Sequence, residues 1–390
     1  MSTYSRRLVV LAVAVATLCG AVVTTAPLLS AQGKGAAKPP TLSGGNGLMY
    51  IGTYKGEVEI YDEATEKLVG TIKLKTGIPR SLTPSPDRTR FYALDSRLEQ
   101  IEVIDIASRT TTDSFKLTTG NKNIRVTNVQ ASPDNKYLIL LYRIATKQID
   151  RWEIGPPTIQ QYDLTTHQFG RVIPWPKGEE RESANVRIGP DGKNVFLFGP
   201  EEVSVLETTN FTEVETWPFG LPPEDGLGRV SLGPVHDFYD APGTFTGLFT
   251  MQDSGRARRM MGIGRVDLKA RKLDFQPLGP VPAVSPTFAQ APDHKKAYGV
   301  SQEIADYEFW TIDLEKNVVE KRTRFEGRPR MAIRVSSNNK LFYLYVAGAT
   351  LDVYEAATHK YLRTIHLGGD QTTELFVVPG PQPSTTTAAR

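Results

Sequence analysis

A Pro-Asp turn followed by an apolar run recurs through this chain at near-regular intervals, and no other feature of the sequence restricts its fold as tightly. The clearest example is Ser132-Pro133-Asp134-Asn135-Lys136 leading into Tyr137-Leu138-Ile139-Leu140. It returns as Ser85-Pro86-Asp87, Gly189-Pro190-Asp191 and Ala291-Pro292-Asp293, and in weaker form as Ser336-Ser337-Asn338. Proline presets one backbone angle and Asp or Asn caps the turn through its own side chain, so the chain reverses readily and a strand must follow. Asp87 to Asp134 spans 47 positions, Asp134 to Asp191 spans 57, and Asp293 to Asn338 spans 45. The gap from Asp191 to Asp293 fits two units, divided by a degenerate Gly233-Pro234-Val235.

A second series confirms the period. Each unit holds an apolar stretch, an acidic residue and a small polar turn: 58–65, 101–108, 159–166, 203–209, 263–269, 310–316 and 351–358, with a further short strand after each, such as 68–74 or 361–367. Seven units of about 40–50 residues with several short strands each specify an all-β chain, a seven-bladed β-propeller of four-stranded antiparallel blades. Leu48 to Gly52 matches the strand that normally follows a Pro-Asp turn, so the first unit lacks its innermost strand. Thr373 to Gly380 matches the strand that leads into such a turn, and only a polar tail follows it. Blade one is therefore expected to take three strands from 48–74 and its innermost strand from about 372–379, closing the ring and removing open sheet edges.

Ahead of the repeats, Arg6-Arg7 and the apolar run Leu8 to Val23 have the layout of a secretory signal peptide, residues 1–31, cut after Ala31. The expected organisation is then a flexible linker over 32–45, the propeller over 46–380 and a disordered tail over 381–390. The only cysteine, Cys19, leaves with the signal, so disulfides, thiolate catalysis and cysteine-held metal are excluded from the mature chain. Without Arg6 and Arg7 the basic count falls from 46 to 44 against 43 acids. Such balance argues against nucleic acid or an anionic membrane as partner, while the signal-peptide layout implies a periplasmic or secreted protein.

The segments Val58-Glu59-Ile60-Tyr61-Asp62, Ile101-Glu102-Val103-Ile104-Asp105 and Ser132 to Lys136 resemble the YVTN-type seven-bladed propellers. Within that group the chain is similar to the heavy, propeller-forming chain of periplasmic quinoprotein amine dehydrogenases, although the literal Tyr-Val-Thr-Asn string is absent and the fifth unit lacks its Pro-Asp turn. The resemblance covers essentially the whole mature chain. It implies a scaffold without a cofactor of its own, since the tryptophan-derived quinone of those enzymes resides on a separate small subunit. Trp152, Trp175, Trp217 and Trp310 have no thiol available for a cysteine-linked quinone here.

Motifs for covalent haem, zinc proteases, phosphate-cradling loops and serine hydrolases are missing. His167, His294 and His359 fall in turns and read as solvated. His236, Asp237 and Asp240 stand close together, but they read as a polar insertion, and no metal is expected. In a four-stranded blade the Pro-Asp turns and the Thr-rich turns share one face, and both are short. The long connections 144–157, 174–183, 218–228 and 252–262 share the other, where function usually resides. That face also collects Arg80, Arg125, Arg229 and Arg330 at the beginnings of innermost strands. They are the candidate ligand-binding residues; catalytic residues are not assigned. Pairing with Glu182, Asp225, Glu326 or Glu374 would satisfy these arginines without a ligand. Two classes of function stay open. One is a non-catalytic propeller that binds a protein partner or a small anionic molecule; the other is an enzyme, either the large subunit of an amine dehydrogenase or a lactone or sugar-ester hydrolase.

Overall fold

The computed structural model describes residues 42–380 apart from 183, 200–201, 219–226, 228, 233–237, 254, 256–257, 283 and 304–305. The expected signal peptide at 1–31, most of the expected linker, His236, Asp237 and the expected tail lie outside the described residues. From Leu42 onward the chain is one compact unit, a seven-bladed β-propeller built of antiparallel sheets. Blades two to seven are consecutive in sequence. Their innermost strands are Pro79–Pro84, Lys122–Ala131, Asn185–Ile188, Arg229–Leu232, Thr287–Gln290 and Ala332–Val335. Blade one takes Leu48–Thr53, Glu57–Asp62 and Leu68–Lys73 from one end and Phe376–Val378 from the other. The closing register is Leu48↔Val378, Met49↔Val377 and Tyr50↔Phe376. The contact extends outward where the Gly52 amide donates to Thr373 Oγ1 at 2.9 Å.

Apolar residues alternate along the strands, and each blade buries both faces against its neighbours. The core is accordingly seven clusters, one at each interface between blades. The blade five to six cluster is the smallest, with Ile263, Ala297, Ile312 and Leu314 buried. Among the described residues, no helix is long and apolar enough to cross a membrane.

The same local device joins every pair of blades. After each third strand the chain turns through Glu66, Arg109, His167, Phe211, Arg271, Asn317 or His359, and all seven adopt left-handed backbone with φ between 54° and 63°. That conformation costs a residue with a Cβ about 1–2 kcal/mol, and glycine would avoid the cost. None of the seven is glycine, because each side chain packs on the preceding blade. Glu66 accepts from Arg363 Nε at 2.7 Å, Arg109 meets Tyr50, His167 pairs with Asp113 at 2.8 Å and Phe211 joins Ile159 and Ile173. Arg271 pairs with Glu215 at 3.2 Å, Asn317 accepts from Arg265 at 2.8 Å, and His359 bonds Thr323 at 2.9 Å and Thr311 at 2.7 Å. His359 is therefore buried rather than solvated. Burial, with Lys321 nearby, lowers its pKa to about 4 and keeps the ring neutral.

Residues 42–45, expected within the linker, are held by blade seven. Asn338 Nδ2 donates to Ser43 O at 2.9 Å and an Arg363 guanidinium nitrogen donates to Leu42 O at 2.8 Å. A Cβ on Gly44 would stand 2.0 Å from the Tyr343 hydroxyl, so the segment approaches too closely for any larger residue. The buried Glu63 carboxylate locks this seam. It accepts from Gly47 N at 3.1 Å, Ser337 N at 2.9 Å, the Tyr343 hydroxyl at 2.9 Å and the Ser337 hydroxyl. Desolvation raises its pKa even against these four donors.

Candidate functional site

The two ends of the propeller differ in construction. On the turn face, the residue after the Pro-Asp pair is left-handed at Arg88, Asn135, Gly192 and His294, as is Asn339 in the weaker version. The aspartates satisfy the turns from within: Asp87 accepts from Ser85 at 2.5 Å and Thr89 N at 3.2 Å, and Asp134 from Ser132 at 2.8 Å and Lys136 N at 3.2 Å.

On the opposite face strands of blades three, five and six run long. Thr244–Gln252 pairs Arg259–Asp267 in blade five, and Lys296–Glu303 pairs Asp306–Asp313 in blade six. In blade three, Tyr137–Lys147 stays paired with the innermost strand as far as Lys122↔Thr146 but runs past its outer partner, whose pairing ends at Thr158↔Tyr142, and turns back through Trp152–Ile154, with Trp152↔Lys147 and Ile154↔Ala145 in register. Residues 144–157 thus form a projecting hairpin rather than an irregular loop. The alternation of Trp152 and Ile154 about Glu153 was the available signal. The strands Thr244–Gln252 and Arg259–Asp267 reach into the connection 252–262 from both sides, and 174–183 contains a short 3-10 turn at Pro176–Gly178.

Arg80, Arg125 and Arg330 are exposed on this face. Arg80 sits at a break in strand register between Pro79 and Ser81, which takes it out of the ladder. Arg125 faces Arg143 across the sheet. Arg330 precedes its strand in left-handed backbone with φ 65°. Arg229 begins the innermost strand of blade five opposite Gln252, and its side chain lies outside the description. The expected carboxylate partners go elsewhere: Glu182 pairs with Arg143 and Glu374 with Arg334 at 2.6 Å. Asp225 is outside the described residues. Among those residues, Arg80, Arg125, Arg330 and Glu326 form no ion pair with one another or with any other group.

At the turn-face mouth a cavity of about 140 Å³ is lined by Arg88, Gln130, Arg187, Phe238, Asp240 and Phe245, among others. Sequence reasoning did not single out Arg187, whose guanidinium lies 5.5 Å from the Phe245 ring centroid. Desolvation lowers its pKa to about 10. The space suits a few waters rather than the 300–1,000 Å³ of typical ligand sites. Among the described residues no group of three potential ligands gathers to hold a metal.

No protein-family model matches the chain, and no curated protein matches it. Solved structures do. The chain is similar to apo AztD from Citrobacter koseri, with TM-score 0.50 and 14% identity over 86% of this chain and 98% of that one. It is also similar to the dihydro-heme d1 dehydrogenase NirN, with TM-score 0.49 and 14% identity over 84% and 74%, and to a Kuenenia stuttgartiensis hydrazine synthase chain, with TM-score 0.44 and 14% identity over 81% and 90%. At such identities the likeness speaks to the propeller fold alone.

Proposed function

We propose that this chain is an exported, non-catalytic binding propeller that takes an anionic ligand on its loop-rich face, either a small molecule or an acidic patch of a partner protein. The observation that carries the reading is that Arg80, Arg125 and Arg330 stand exposed without ion-pair partners among the described residues, while neighbouring carboxylates are committed to Arg143 and Arg334. A guanidinium fork presents parallel donors to carboxylate or phosphate, and each charge-assisted contact contributes about 1.5–3 kcal/mol gross. The export half rests on the Arg6-Arg7 and Leu8 to Val23 layout and is checked by the mass of the mature N-terminus.

Calorimetric titration of succinate, gluconate and inorganic phosphate into the purified mature protein tests the binding half. At least one anion should bind, and Arg80→Gln or Arg330→Gln should weaken it by about tenfold, equivalent to 1.4 kcal/mol. Turnover of gluconolactone would replace this reading with that of a hydrolase.

A further inference from the structure

Where blade three projects, it overhangs a cleft of about 610 Å³ against blade two, lined by Ser96, Arg97, Asn123, Arg125, Trp152 and Ile154, with Glu99 and Ala145 at its walls. Three properties make this cleft a candidate site. Its volume falls within the range of small-molecule sites. It carries two exposed guanidinium groups, Arg97 and Arg125, neither in an ion pair among the described residues. The third property is apolar surface displayed on a rigid, hydrogen-bonded hairpin, where Trp152 is 49% and Ile154 60% exposed.

The one carboxylate in the wall, Glu99, is already engaged, with Lys116 Nζ at 3.3 Å. Burial opposes its charge, but bonds from Thr118 and Lys116, with Arg97 nearby, outweigh that and hold its pKa below the usual range. It therefore remains an anion whose nearest counter-charge is Lys116. Arg97 and Arg125 keep their donors for something else.

Resting on the anion-binding reading above, we propose that this cleft is a binding site for a carboxylate carried on a flat apolar body, such as an aromatic acid. The carboxylate would be taken by the forked donors of Arg97 and Arg125, with Asn123 and Ser96 able to supply neutral hydrogen bonds. The apolar body would lie against the Trp152 indole and Ile154, covering surface otherwise left in water. Such pairing explains why an exposed tryptophan and two uncommitted arginines occupy one pocket. A purely structural tryptophan would be buried, as Trp217 and Trp310 are, and purely structural arginines would hold carboxylates, as Arg143 and Arg334 do.

The experiment is calorimetric titration of the mature protein with 2-naphthoate, the neutral 2-naphthylmethanol and inorganic phosphate. Wild type, Arg125→Gln, Arg97→Gln, Trp152→Ala, Arg330→Gln and, at an exposed turn-face position, Lys193→Gln are compared, with circular dichroism to show that each variant is folded. Naphthoate should bind at one site, more tightly than the alcohol by about tenfold, the effect of one lost charge-assisted contact. Each of the three cleft substitutions should weaken it by a similar factor, and Lys193→Gln should leave it unchanged. No naphthoate binding, or equal binding by the three cleft variants, overturns the cleft site. If phosphate then still binds and depends on Arg330, the broader anion reading survives its loss; if no anion binds wild type, both fail.

Discussion

The turn face and the loop-rich face are made from the same seven blades, yet they treat polar groups in opposite ways. On the turn face each Asp or its neighbour bonds to the backbone within a few residues, and the left-handed side chain after each third strand finds the blade before it. Donors and acceptors are consumed locally, which makes the face regular and stable and leaves little to offer a ligand. On the loop-rich face the strands overrun their turns in blades three, five and six, and arginines emerge without partners among the described residues. The difference teaches where to look for function in a repeat protein: at the positions that depart from the repeat and leave charge uncompensated.

The comparison breaks first at the seam between the chain ends. Deleting residues 371–390 removes strand Phe376–Val378 and exposes the edge of Leu48–Thr53. That loss exceeds what a stability of about 5–15 kcal/mol can absorb. The truncated protein should show no cooperative melting transition by calorimetry; melting like the full chain would remove the closure from the account. Next in size, Glu63→Ala leaves the buried Gly47 and Ser337 amides and the Tyr343 hydroxyl without their acceptor. Unfolding in urea should register a loss of about 2–4 kcal/mol.

The interblade histidine gives a pH signature. His359 has its pKa lowered to about 4 by burial, against 6.5 in the unfolded chain, so the unfolded state binds the extra proton between those values. Its contribution is fully present above pH 6.5 and is lost as pH falls towards 4, by about 2 kcal/mol after allowance for partial solvent screening. Glu63 works in the other direction. Because its pKa is raised, its contribution is present below the unfolded value and is lost as pH rises through the folded one. Urea melts from pH 4 to 7 should therefore rise less steeply in His359→Gln than in wild type. Equal slopes would mean that the ring is not held neutral.

Much of this contrast is legible in the sequence. Pro-Asp turns and the acidic residue closing each third strand have fixed local chemistry, so all seven third strands and the shared first blade could be placed from spacing alone. Long-range contacts were less visible. Nothing local tells that Thr311 and Thr323 of the neighbouring blade enclose His359, or that blade seven holds Ser43 and Gly44. The hairpin at 152–154 is too short to stand out from a loop, and the cleft depends on Arg97, which the repeat marks as an ordinary turn residue. Glu182 and Glu374, expected as partners of the mouth arginines, pair instead with Arg143 and Arg334, which the repeat does not distinguish from other strand residues.

At the small end of the scale, Arg80→Gln, Arg125→Gln and Arg330→Gln should each change stability by less than about 0.5 kcal/mol in urea, since none loses an ion pair. A larger loss would show these arginines to be structural.

The most direct test sets the two faces against each other at equal charge. One triple variant carries Arg80→Gln, Arg125→Gln and Arg330→Gln; the other carries Lys136→Gln, Lys193→Gln and Lys295→Gln, all exposed and all following Pro-Asp turns. Both are titrated calorimetrically beside wild type with succinate, phosphate and 2-naphthoate. The account expects an anion that binds wild type and the lysine variant alike and binds the arginine variant weaker by about tenfold or more. Equal weakening in the two variants, or an anion affinity that survives the loss of all three arginines, would contradict it.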